Sequence, residues 1–336
     1  MQVAVAGLGN TGQRVVQKLL ATPDITQIRI FDPDHTKVEE VMKQVGHSGS
    51  LLYGQPLDVL PGAEKPQTVV LSGPARSQLG TARPVVEAGM NLVSISDHPG
   101  DVKTLLGLDE AAKVNGVTAL LGAGFCPGLS GLLVRYGVSQ LEETHEINVA
   151  TAGTGGPACA RQHHWALKHG GLEWSNNEWN VRRGMSGRDL VWFPEPIGAN
   201  DCYRAALASP LLLQQAFPEA QRIGARMSAN RRDRMTGWLP MLRSPHDDGG
   251  PGAIRAEVRG RLDGQVETLI YGVSEHPSVG AAMVASACVR QLGVNGQLPT
   301  GAYGLASISD PSDLLIALHD DGIRVSSFDG YLKVNA

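Results

Sequence analysis

No run of apolar residues in this chain approaches the 18 or more needed to cross a bilayer, so no membrane-spanning role is expected. A basic excess is missing too. Lys and Arg number 29 against 33 Asp and Glu, a net charge of −4, where a nucleic-acid-binding surface would need a strong positive balance. Cysteine is scarce: Cys126, Cys159, Cys202 and Cys288 form no CxxC pair and no zinc spacing, so no metal site is expected. They read as free thiols of a reducing compartment. The start has no basic segment followed by a separate apolar one, because Met1 to Ala6 already reads as a strand. These absences together lead to the expectation of a cytoplasmic protein with a small-molecule partner.

The 336 residues are 42% hydrophobic, enough for a sizeable core and about two domains. The 41 glycines fit an α/β protein with many tight turns. Apolar runs at Val3–Ala6, Ile28–Phe31, a third ending near Asp58, Thr68–Leu71, Asn91–Ile95 and Val117–Leu121 predict six strands. Helical spacing lies between them, as at Val15, Val16, Leu19 and Leu20. Strands alternating with helices in this way predict a doubly wound parallel sheet. The alternation is lost after Gly122. A helix at Leu129–Tyr136, strands at Glu146–Ala150, Ala253–Arg259 and Gln265–Val273, and helices at Ser278–Leu292 and Pro311–Leu318 follow. This divides the chain into a first domain over 1–124 and a substrate domain over 125–277.

The first turn reads Gly7-Leu8-Gly9-Asn10-Thr11-Gly12, with a strand before it, an amphipathic helix after it, and Asp32 closing the next strand 20 positions beyond Gly12. That context is the dinucleotide-binding fingerprint of a Rossmann domain. Gly7 permits the tight turn, Gly9 the approach of the backbone to a pyrophosphate, and Gly12 close packing of helix on strand. Asn10 and Thr11 head the helix whose free N–H groups would face the phosphates. Asp32 is placed to accept from the adenosine ribose hydroxyls and to repel a 2′-phosphate, favouring NAD over NADP.

Ligands of such sheets sit beyond the carboxyl ends of the strands. Ser72, Gly73 and Pro74 follow the fourth strand and are expected against the nicotinamide half, as are Gly124, Phe125 and Pro127 after the sixth. Asp97 and His98 follow the fifth and are candidates for moving a proton. In the polar middle segment Arg161 is a candidate carboxylate clamp, and His163 and His164 are further acid–base candidates. Trp165, Trp174, Trp179 and Trp192 fall in the same region, where strands without helical cover predict a homodimer. Glu64-Lys65-Pro66 precedes a strand rather than closing one, which argues against a catalytic Lys65.

The strings Ala88-Gly89-Met90-Asn91-Leu92-Val93-Ser94-Ile95-Ser96-Asp97 and Gly122-Ala123-Gly124-Phe125-Cys126-Pro127-Gly128-Leu129-Ser130 resemble the saccharopine dehydrogenase family. The layout is similar to its shorter bacterial and archaeal members related to lysine 6-dehydrogenase. Departures fall at Ser94, where the family commonly has aspartate, at Gly131, and around Tyr303 to Ile308. The resemblance implies a Rossmann domain, an α+β substrate domain on a mixed sheet, and a return of 278–336 to the first domain. It also implies a dimer and NAD-dependent hydride transfer at a C–N bond of an amino-acid-derived amine or imine. Two other readings stay open: a catalytically idle NAD-binding sensor or scaffold, and a homospermidine synthase-like, non-redox user of bound NAD.

Overall fold

The computed structural model describes residues 1–45, 51–53, 65–241, 244–294 and 298–328. The expected strand end near Asp58 lies outside them, as does Glu64. Along the chain run β1 (Gln2–Ala6), α1 (Asn10–Leu20), β2 (Gln27–Phe31), α2 (His35–Val45), β3 (Leu51–Tyr53), β4 (Thr68–Leu71), α3 (Leu79–Glu87), β5 (Asn91–Ser94), α4 (Pro99–Leu106), α5 (Asp109–Val114) and β6 (Thr118–Leu121). A tight turn at Phe125–Leu129 leads to α6 (Ser130–Val138), β7 (Glu143–Ala152), α7 (Pro157–Lys168), β8 (Gly171–Ser175), β9 (Glu178–Arg182), β10 (Asp189–Trp192) and β11 (Ala199–Arg204). Next come α8 (Ser209–Ala216), β12 (Arg222–Ser228), α9 (Arg231–Thr236), β13 (Gly252–Leu262), β14 (Gln265–Glu275), α10 (Pro277–Val294), β15 (Gly301–Gly304), α11 (Ser312–Asp320) and β16 (Val325–Phe328).

The chain divides into two compact units, Met1–Gly128 with Ser278–Leu305, and Leu129–Pro277 with Ala306–Ala336. The first holds a seven-stranded sheet in the order β15-β6-β5-β4-β1-β2-β3, parallel throughout. Its central strands are apolar on both faces, and every residue of β4 and β6 is buried. Val15, Val16 and Leu19 of α1 cover one face, each burial contributing roughly 1.5–3 kcal/mol. The expected six strands become seven because β15 adds to the edge of β6. Its sequence, Gly-Ala-Tyr-Gly, carries no β-branched run to announce it. It is fixed instead by Asp109, whose Oδ1 accepts from the Ala302 N–H at 2.9 Å.

The second unit is a nine-stranded mixed sheet in the order β10-β11-β12-β7-β13-β14-β16, with β8 joining β12 and β9 joining β8. β12 and β7 are its parallel pair, and α6 packs on β13, β14 and β7. Two boundaries differ from expectation. The first unit runs on to Gly128, where a Cβ would stand 2.7 Å from the Gly122 carbonyl, so the turn is packed onto the end of β6. The return to the first unit stops at Leu305, because β16 pairs antiparallel with β14, placing Val325 opposite Val273. The outer edge of β14 would otherwise leave backbone groups without partners, and β16 supplies them. Among the described residues no helix is long and apolar enough to cross a membrane.

Candidate functional site

The turn between β1 and α1 is built as expected from its glycines. Gly7 has φ +100°, and a Cβ on it would lie 2.4 Å from the Gly73 nitrogen. A Cβ on Gly12 would lie 1.8 Å from the Gly7 carbonyl oxygen. Gly9 differs: a Cβ there would meet nothing within 4 Å. The protein itself does not require glycine at that point, so the open space is room for something else. Gly9 also caps α1, with no side-chain cap bond, and the first turn carries no acidic residue. A helix N-terminus left in this state favours an anion. The residues present therefore fit a pyrophosphate, with Asn10 and Thr11 half-buried beside it.

Asp32 stands at the end of β2, but its carboxylate is already engaged. Oδ2 accepts from the Leu8 N–H at 2.7 Å and Oδ1 from the Asp34 N–H at 2.9 Å, with Lys37 Nζ 3.8 Å away. The side chain is 6% exposed. It fastens the glycine turn to β2, and the lone pairs left over are what a ribose hydroxyl could use.

Ser72 after β4 donates to the Gly7 carbonyl at 2.6 Å and so ties two strand ends together. Gly73 is held by Gln78, whose Nε2 donates to its carbonyl at 2.9 Å, while Pro74 is exposed. Gln78 is buried, and its Oε1 accepts from the fully buried Ser94 hydroxyl at 2.7 Å. Ser94 is thus part of the scaffold beneath the edge. Sequence reasoning missed Arg76, the one non-glycine residue with left-handed backbone (φ +69°) among the described residues of this unit. Such a conformation costs of order 1–3 kcal/mol. Its N–H donates to Asp101 Oδ2 at 2.8 Å, and the Ser96 hydroxyl donates to the same oxygen at 2.8 Å. Asp101 is 1% exposed. The string His98-Pro99-Gly100-Asp101 could have revealed it, since Pro at the first position and an acid in the first turn mark a helix start.

His98 is the N-cap of α4. Its Nδ1 accepts from the Gly100 N–H at 3.1 Å and the Asp101 N–H at 3.3 Å. Asp101 Oδ1 also lies 3.3 Å from this nitrogen, so the ring has a structural role at the start of α4. Asp97 beside it is half-buried. Phe125 and Pro127 are buried, and the Phe125 ring fills the space where a Cβ of Gly280 on α10 would stand. Phe125 is therefore core under the strand ends. Gly124 is equally buried, its missing Cβ 3.5 Å from the Ile95 carbonyl.

In the second unit the polar middle segment contains α7, a helix not expected from the sequence. Pro157 is its first residue, after Gly156 with φ +129°, and Gln162, Ala166 and Leu167 form its buried side. Arg161 is exposed on it. His163 is half-buried, with Nε2 3.7 Å from Cys159 Sγ one turn earlier. His164 Nε2 lies 2.8 Å from the Leu239 carbonyl oxygen, which Lys168 Nζ also reaches at 2.8 Å. A carbonyl only accepts, so His164 donates there and staples the chain after α9 to α7. The four tryptophans stand on four different elements, α7, β8, β9 and β10. Trp165 stacks on His169, Trp174 meets Trp179 edge to face across β8 and β9, and Trp192 stands 60% exposed on β10.

No protein-family model matches the chain. Among solved structures it is similar to the saccharopine dehydrogenase (L-Glu forming) of Saccharomyces cerevisiae, with a TM-score of 0.71 and 12% identity over 97% of this chain and 99% of that one. It is also similar to the C. glutamicum DAP dehydrogenase in complex with DAP, at TM-score 0.52 and 16% identity over 96% and 99% of the two chains. An engineered D-amino acid dehydrogenase matches at TM-score 0.50 and 15% identity, over 94% and 96%. At these identities the likeness is one of fold, and the fold is that of these dehydrogenases.

Proposed function

We propose that this chain is an NAD-dependent oxidoreductase of saccharopine dehydrogenase type, transferring hydride at a C–N bond of an amino-acid-derived amine or imine. The observation that carries the reading is the cradle at the head of α1: an uncapped helix N-terminus behind Gly9, with open space where a side chain would stand. The amino-acid substrates named for the three similar structures support the substrate class. Bound NAD would supply the hydride acceptor. The chain's own residues orient the substrate, exclude water and hold a proton. Asp97 is the proton-moving candidate of the first unit and His163 that of the second, while Arg161 is the carboxylate clamp. A homodimer belongs to the same reading, and light scattering showing a monomer at micromolar concentration would remove it.

The test is calorimetric titration with NAD and NADP, followed by absorbance at 340 nm on adding lysine, saccharopine or related amino acids with NAD. Binding of NAD with turnover of an amino acid is the expected result. One observation favours the idle sensor or scaffold as a second reading: the Ser94 hydroxyl, where the family has a carboxylate, is buried in a bond to Gln78 and offers no chemistry. NAD binding without turnover of any amino acid would select that reading.

A further inference from the structure

Arg76 holds a backbone conformation in which folding alone would place glycine or asparagine. The surrounding chain is arranged to keep it there. Asp101, buried at the start of α4, accepts its N–H, and the hydroxyl of Ser96 after β5 donates to the same carboxylate oxygen. Three residues earlier in the chain Gly73 is fixed by Gln78 and, through it, by Ser94 of β5. The turn after β4 is thus braced to β5 and α4, and it carries the exposed residue Arg76 just past the carboxyl end of that strand. Ligands of a parallel sheet lie at that edge.

We propose that Arg76 binds a carboxylate of the substrate, as a specificity-determining residue held in place by Asp101. The inference rests on the cofactor reading above and deepens it. A guanidinium offers planar paired donors that match a carboxylate or a phosphate. The carboxylate is favoured because the head of α1, at the end of β1, already serves the phosphates, whereas β4 stands one strand further toward β5 and β6. The substrate class is thus an amino acid whose carboxylate is taken by this guanidinium, for which a small dicarboxylate is a stand-in.

The experiment compares the wild type with Arg76→Gly, which removes the guanidinium and relieves the left-handed backbone. NADH is titrated first, read by nicotinamide fluorescence. Glutarate, a dicarboxylate with no reacting centre, is then titrated into the NADH complex. Expected are equal NADH affinity in both proteins, glutarate binding weakened roughly 10- to 150-fold in the variant, and a melting temperature unchanged or raised by about 2–4 °C. Equal glutarate affinity in the two proteins, or none in the wild type, overturns the inference and leaves the cofactor reading standing. Weaker NADH binding by the variant assigns Arg76 to the phosphates and overturns it as well. Failure of the wild type to bind NADH removes both.

Discussion

A single methyl group at position 12 would have to occupy the Gly7 carbonyl oxygen, 1.8 Å from where the Cβ would be built. Gly12→Ala is therefore expected to push α1 away from β1 and to cost about 1–3 kcal/mol, as overpacking does. It should also weaken NAD binding, because the helix N-terminus moves with it. Gly9→Ala has free space and should leave the urea midpoint unchanged while still weakening NAD. Equal loss of stability in the two variants would show that Gly9 is a folding glycine too. Asp32 has a mixed role. Asp32→Ala removes the anchor of the Leu8 N–H and the charge that opposes a 2′-phosphate. The expected result is a lower melting temperature together with a fall in the NAD-to-NADP affinity ratio. An unchanged ratio would reduce Asp32 to a turn residue. These glycines and Asp32 were legible in the sequence because their spacing is set by local geometry. Arg76, Gln78 and Asp101 were not, since their meaning comes from bonds between turns that only the sheet brings together.

At the scale of elements the same contrast holds. β1, β2, β4, β5 and β6 were legible because they are short apolar runs bounded by turns, whereas the end expected for the third strand lies outside the described residues. α7 was missed because its buried side is just Gln162, Ala166 and Leu167, too small a stripe to stand out among histidines and arginine. α4 was missed although its start signal, His98-Pro99-Gly100-Asp101, is in plain view. Its cap gives a direct test of whether His98 has any chemical role. His98→Ala should destabilise the protein by about 0.5–2 kcal/mol, the usual worth of an N-cap. His98→Asn restores a good capping acceptor and should recover most of that loss in a urea melt. If the asparagine variant also keeps its turnover of amino acids, His98 is a cap alone. If stability returns and turnover does not, the imidazole takes part in the reaction.

Over the whole molecule, the end of βα alternation after Gly122 is legible in the sequence. The placement of 306–328 was not, because it follows from an edge-strand pairing between distant segments. Each unit also buries a group that ties its stability to pH. Burial pushes the Cys202 thiol of the second unit up to about 12, with Asp189 adding to it. Burial likewise pushes the Cys288 thiol and the Tyr303 phenol of the first unit up to about 12. In the unfolded chain the thiols titrate near their ordinary 9.0 and the phenol near 10.0. Between those values and about 12 the folded protein therefore binds more protons than the unfolded chain. The resulting stabilisation is fully present below about pH 9 and is lost as pH rises toward 12, at up to ~1.4 kcal/mol per pH unit for each group. The urea midpoint should stay level from neutral pH to about 8.5 and then fall steeply. A Cys202→Ala, Cys288→Ala double variant should start lower, from the lost packing, and fall less steeply, because its unfolded state no longer releases those two protons. At pH 8 a thiol reagent should label the half-buried Cys126 and Cys159 in the native wild type and reach the other two only after unfolding. Parallel alkaline slopes for the two proteins would mean that the buried thiols do not govern the limit, and rapid native labelling of all four would mean that they are not buried in solution.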